Sequence, residues 1–258
     1  MQAQMSFSDY VQKQTMAAVE LPLVHTTEYF HLPSIQATNT LQTSDCKFFK
    51  EPLLYFFYGR PAYRDSTRIL PTRDVGFYPI CFVFRPGTIS KKAKRLYPFD
   101  TGASQSGLYE PAIKRADALA GYQVNAVVEN ARRIVAGFFE TDKQYLSNTP
   151  RHDLLFSSTD VEAESYYRLI NGGGDPTCDD RCSAIEIQIA ECLDVRQGIM
   201  AIVLPTCFLE DDALRDTLMK VWRAHLLTYD ADIGMRPIEF HSEVRRLVKR
   251  FYRRSRLL

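Results

Sequence analysis

The chain has 258 residues, 45% hydrophobic and 24% charged, with a formal net charge of +1. That composition is enough to bury a full core and excludes a largely disordered chain, while the near-neutral balance excludes binding driven by net charge alone. No run approaches the roughly eighteen apolar residues of a membrane-spanning helix, so no membrane partner is expected.

The opening, MQAQMSFSDYVQKQ, is polar and has no apolar signal core. Residues 1–20 therefore read as an N-terminal extension. LPLVHTT then reads as a short strand that carries His25 and Thr26 at its end. LPSIQATNTL reads as a short helix with Pro33 near its start, and LLYFFYG as an aromatic strand broken at Gly59-Arg60-Pro61. YPICFVFRPG is a further strand closed by Pro86-Gly87, and 91–95, KKAKR, a basic loop or helix edge. Residues 112–139 and 160–170 read as helical, and 171–181, NGGGDPTCDDR, as a flexible loop. SAIEIQIAECL alternates as a half-buried strand does, with Ala184, Glu186 and Gln188 on one face and Ile185, Ile187 and Ile189 toward the core. IMAIVLP is a buried strand ended by Pro205, and 210–227 an amphipathic helix with acids in its first turn. The last segment, 241–258, carries six Arg and one Lys against one Glu and reads as a basic helix. Strands and helices intersperse without regular βαβ alternation, which gives an α+β fold: a single domain over 21–240 with the basic segment appended.

Six cysteines are scattered with no CxxC pair. Cys178 and Cys182 stand four apart with no His beside them, so no metal is expected, and the thiols read as reduced in a cytoplasmic protein.

Several side chains are candidates for chemistry. Glu186 reads as a carboxylate on the exposed face of a strand, either simply solvated or placed to stabilise a developing cation or hold a sugar hydroxyl. His25 at a strand end is a structural histidine or a hydrogen-bonding one. Tyr55, Tyr58 and Tyr63 surround the glycine break, where Arg60 offers a fork of donors to a phosphate. Phe251 and Tyr252 interleave with the arginines of the tail, a composition that suits phosphates with bases stacked on the rings. Asp100-Thr101-Gly102 matches the signature of aspartic proteases, but a turn with Asp and Gly in their usual places accounts for it better, since the lead-in RLYPF is not an apolar strand and a second such carboxylate is not evident.

The segments LVHTTEYFHLPSIQATNTL, FFYGRPAY and SAIEIQ together resemble DarT-type ADP-ribosyltransferases: a His-x-Thr opening, a Leu-Pro-x-Ile helix, an aromatic strand, and a late strand with the catalytic glutamate. The likeness covers 23–64 and 181–195. It implies an ADP-ribosyltransferase-like split β-sheet core with surrounding helices. It further implies NAD as co-substrate, with His25 and Thr26 at a ribose hydroxyl and Tyr58 or Tyr63 on the nicotinamide ring. In that scheme Arg60 lies at the pyrophosphate or helps activate the acceptor, and Glu186 is the catalytic acid. Asp175, Asp179, Asp180 and Arg181 would face the acceptor, and Arg250 and Arg253 of the tail would meet its phosphates. One departure is His31-Leu32, where the family often has Asn-Leu; Arg60 and Arg64 are not separable as the turn arginine.

The expected activity is NAD-dependent mono-ADP-ribosyl transfer to DNA or RNA, in a toxin or antiphage-defence setting with an antitoxin or regulatory protein as partner. NAD glycohydrolysis with the same site, a non-catalytic nucleic-acid-binding module, and the protease are the competing readings.

Overall fold

The computed structural model describes residues 5–17, 19–62, 70–113 and 119–258. Among the described residues ten strands form, where β-branched and aromatic residues cluster or where a tertiary partner draws the chain out. They are β1 (Leu23–Glu28), β2 (Thr40–Leu41), β3 (Ser44–Cys46), β4 (Glu51–Tyr58), β5 (Pro79–Phe84), β6 (Ala93–Tyr97), β7 (Glu186–Ile189), β8 (Leu193–Asp194), β9 (Ile199–Pro205) and β10 (His225–Tyr229). The α-helices are α1 (Phe7–Gln12), α2 (Leu32–Thr38), α3 (Thr101–Gln105), α4 (Leu119–Tyr122), α5 (Val128–Phe139), α6 (Asp142–Leu146), α7 (Val161–Arg168), α8 (Asp212–Asp216) and α9 (His241–Arg254). The chain is thus an α+β protein. No helix among the described residues is long and apolar enough to cross a membrane.

Contacts divide the chain into two compact units, 1–20 with 93–188 and 21–92 with 189–258. These do not coincide with the segments 1–20, 21–240 and 241–258 read from the sequence.

In the first unit, 1–20 contributes α1 to the core. Ser6 caps it by accepting from Asp9 N–H, and Phe7 and Val11 are fully buried. The Phe7 ring lies 5.9 Å from Phe138 of α5 and meets Tyr166 of α7 edge-on at 5.6 Å. Helix α5 buries Val128, Ala131, Ile134, Val135 and Phe138 on one stripe and ends at Glu140, whose φ of 68° no helix continues through. Strands β6 and β7 are neighbours. The basic stretch 91–95 is therefore not a loop throughout: from Ala93 it enters β6, because Leu96 and Tyr97 are buried and Arg95 donates to Gln188 at 3.2 Å.

In the second unit a mixed sheet runs β10-β9-β5-β1-β4, with β3 added to β4. Only the β9/β10 pair is parallel within that set. Central β5 is buried at every residue. Helix α2 begins with Pro33 in its first turn and stops at Asn39, left-handed at φ 53°. The expected helix over 210–227 is cut short. After α8 and a π turn the chain reverses at Arg223 (φ 56°), and His225–Tyr229 pairs in parallel with β9. A parallel neighbour requires a crossover, and α8 supplies it.

Helix α9 packs on β5, β9 and β10. Val244, Val248, Phe251 and Tyr252 form its buried stripe, while Arg250 and Arg253 are exposed. Phe251 and Tyr252 are core residues, 6% and 0% exposed, and are not available to stack on bases. We expect Phe251→Ala to destabilise the fold by about 3–5 kcal/mol and Arg253→Ala by less than about 0.5 kcal/mol, measured by urea unfolding. Equal effects would contradict this orientation of the helix.

Candidate functional site

The candidate chemistry occurs in two places, one in each unit. In the second unit a cavity of about 360 Å³ opens at β1, α2, the β2–β3 segment and β4. That volume lies within the range of small-molecule sites. His25, Thr27, His31, Ser34, Gln42 and Tyr55 supply much of its polar lining. Strand alternation explains the first pair: residues two apart share a face, so His25 and Thr27 point the same way.

His25 is half-buried, and its Nδ1 lies 2.9 Å from the Tyr55 carbonyl. A carbonyl only accepts, so Nδ1 carries the proton. Burial, together with the nearby His31, lowers the imidazole to about 4 against the opposing backbone bond. The ring is therefore neutral at pH 7, with Nε2 left as a lone-pair acceptor on a cavity wall. A sugar hydroxyl is a natural donor to it.

The other residues expected here separate. Thr26 borders the cavity but is only 4% exposed, and its hydroxyl sits against the thiol of Cys81, its cross-strand partner. Thr27 is the more open hydroxyl, and the His-Thr-Thr alternation was the signal for it. Tyr58 is fully buried; its hydroxyl accepts from Leu21 N–H at 2.9 Å, and it does not line the cavity. Tyr55 is the half-buried ring that does. Arg60 follows Gly59, whose φ of 69° suits glycine, and is 1% exposed rather than a loop charge in water. Tyr63 and Arg64 lie outside the described residues.

In the first unit Glu186 opens β7. It is not on an exposed face: it is 1% exposed, and Gln188 beside it is fully buried. What covers them is the Asp100-Thr101-Gly102 turn. Thr101 holds both carboxylate oxygens, its N–H donating to Oε2 at 2.9 Å and its hydroxyl to Oε1 at 2.8 Å. Gln188 Nε2 donates to Oε1 at 2.7 Å, and Arg95 donates to the Gln188 amide oxygen. Asp100 is the N-cap of α3, accepting from Ala103 N–H at 2.9 Å. The Asp-Thr-Gly motif thus works as a helix cap that grips another carboxylate.

Burial and the charge of Asp100 push Glu186 up to about 8, against the three donors that favour its ionised form. Asp100, itself buried, is raised too. A buried acid poised near neutral pH is the type of group that changes protonation when a cation approaches.

Asp179 and Arg181 lie in the first unit and are engaged with each other. Asp179 accepts from the Arg181 backbone at 3.0 Å and from its Nε at 2.9 Å. The Arg181 carbonyl accepts from Asp100 N–H at 3.1 Å, tying the loop to the Glu186 turn. Arg250 and Arg253 stand on the exposed side of α9 in the second unit. Among the described residues no group of three or more His, Cys, Asp or Glu side chains could hold a metal ion. No protein-family model and no curated protein matches the chain.

Proposed function

We propose that the chain is an NAD-dependent mono-ADP-ribosyltransferase with an ADP-ribosyltransferase-like core, acting on a nucleic-acid acceptor. The observation that supports this most is Glu186: a buried carboxylate gripped by three donors, in the strand that the family resemblance assigns to the catalytic acid. A transferase of this kind breaks the bond between the ribose and a positively charged nicotinamide, and the electron pair leaves with the neutral base. Positive charge builds on the ribose, so an oriented carboxylate in a site that excludes water is the group such a reaction needs. In this reading the approaching cation favours ionisation of Glu186, and Thr101 and Gln188 keep the carboxylate in one orientation as it charges. The resemblance gives His25 a ribose hydroxyl; within its own unit the neutral ring has Nε2 as an acceptor on the cavity wall, with Thr27 and Tyr55 beside it. The acceptor's nucleophilic atom joins the ribose and its proton is released to solvent. Arg250 and Arg253 are exposed cations suited to its phosphates.

The test is incubation of the protein with NAD, following free nicotinamide while labelled ADP-ribose is traced onto single-stranded DNA, RNA and cell protein. Label on nucleic acid is the expected outcome. Nicotinamide release without any labelled acceptor would leave a glycohydrolase, and no release with every acceptor would remove the enzyme reading.

A further inference from the structure

Arg95 has no role in the reaction as described so far, yet it reaches Glu186 through a single side chain. It lies half-buried on β6, next to β7, where Gln188 is 0% exposed. An arginine only donates, so the Gln188 atom that it meets at 3.2 Å is the amide oxygen. The amide nitrogen is then turned the other way. It donates to Glu186 Oε1 at 2.7 Å and reaches the Thr101 hydroxyl at 3.4 Å. That hydroxyl in turn donates to the same Oε1. A half-turn of the amide about its last bond would reverse these contacts. The NH2 would face the Arg95 guanidinium, donor against donor, and the oxygen would face the Glu186 carboxylate, acceptor against acceptor. Solvent cannot relieve either mismatch at a side chain with no exposed surface. Arg95 thus decides which way the amide stands.

We propose that Arg95 is a positioning residue: by fixing the Gln188 amide it keeps a donor on Glu186 Oε1 and so favours the charged, oriented carboxylate. What that carboxylate does rests on the transferase reading; the orientation of the amide does not. Without the Arg95 donor the two amide orientations draw closer in energy. In the turned one a protonated Glu186 donates to the Gln188 oxygen, so that orientation favours the neutral acid. Loss of Arg95 therefore raises the proton affinity of Glu186 and leaves fewer carboxylates ready for the ribose. Asp100 on the α3 turn and Tyr97 on β6 also act on Glu186, and Arg181 acts on Asp100. Tyr97 donates to Gln123 at 3.0 Å and is pushed up to about 12, above the range in which Glu186 titrates. Asp100, Tyr97 and Arg181 stay unchanged in the variants below, so a moved titration belongs to Arg95 and Gln188.

The experiment titrates Glu186 by carbon NMR in whole protein labelled at the glutamate carboxyl, its signal identified by absence from Glu186→Gln. Arg95→Met should raise the midpoint by about one pH unit. Arg95→Lys, which keeps a donor and the charge, should restore most of the difference. In Gln188→Leu the midpoint should rise as well, and adding Arg95→Met should then change nothing further, because its route is gone. Nicotinamide release by Arg95→Met should fall about tenfold in kcat with KM within about twofold of wild type. Thermal unfolding confirms that each variant is folded, and Arg95→Gln replaces the methionine variant if that one is not. An unmoved midpoint without Arg95, an equal rise with and without Gln188, or an unchanged kcat overturns the proposal. A wild type that releases no nicotinamide removes the transferase reading instead, and the titration still decides Arg95.

Discussion

Glu186→Gln is expected to lower nicotinamide release by about 10²–10³-fold while NAD affinity changes by less than about threefold. The substitution keeps shape and removes charge. Its carbonyl oxygen can still accept from Thr101 N–H and its amide can donate to the Thr101 hydroxyl, while the bond from the Gln188 amide, which also donates to Oε1, is lost. What it cannot supply is a negative charge opposite the ribose in the transition state, so the deficit should fall on kcat rather than on KM. Thr101→Val separates orientation from charge: the hydroxyl donor is lost while the N–H donor remains, and a smaller loss, on the order of tenfold, should follow. Single-turnover release of nicotinamide measures the first effect and calorimetric titration with NAD the second. A Glu186→Gln enzyme that keeps a tenth or more of its activity takes Glu186 out of the reaction.

Much of the frame was legible because local signals and tertiary packing agreed. The strands at 23–28, 51–58, 79–84 and 199–205 combine apolar or β-favouring runs with Pro or Gly punctuation, and each formed. Where they disagreed, the reading failed for identifiable reasons. The amphipathic period over 210–227 is real, but β9 leaves an open edge, and pairing there outweighs helix propensity for His225–Tyr229. Glu186 and Gln188 were correctly set opposite the isoleucines, yet their polarity suggested water. Their cover is Thr101, which lies 85 residues earlier in the chain, and no local pattern carries that contact. In α9 the spacing of Val244, Val248, Phe251 and Tyr252 is that of a buried stripe, which the six arginines of the segment obscure in the sequence. Asp100-Thr101-Gly102 shows the same tension from the other side. Its resemblance to a protease signature is a matter of letters, whereas an Asp followed by a short helix is ordinary capping chemistry.

Stability should fall by about 2 kcal/mol between pH 6.5 and pH 8, and the fall should disappear in Glu186→Gln. Glu186 is raised from 4.5 to about 8 in the folded protein. Above pH 4.5 the unfolded chain releases this proton while the folded one retains it. The contribution is therefore complete below 4.5 and lost as pH rises through about 8. His25 runs the opposite way, lowered from 6.5 to about 4 by burial. Between those values the unfolded chain takes up a proton that the folded ring refuses, so this contribution is present above 6.5 and lost as pH falls toward 4. From 4.5 to 6.5 the two slopes oppose each other. Above 6.5 the histidine is neutral in both states, and the Glu186 slope of about 1.4 kcal/mol per pH unit acts over the remaining interval to pH 8. Asp100, raised in the same direction, adds its own loss starting from the acid end. Urea midpoints measured from pH 5 to pH 9 on wild type, Glu186→Gln and His25→Gln give the comparison. Removing Glu186 should flatten the upper limb, and removing His25 should steepen the decline between 4.5 and 6.5. Parallel curves for wild type and Glu186→Gln would mean that the carboxylate in the Thr101 grip is ionised throughout, with its three donors outweighing burial and Asp100.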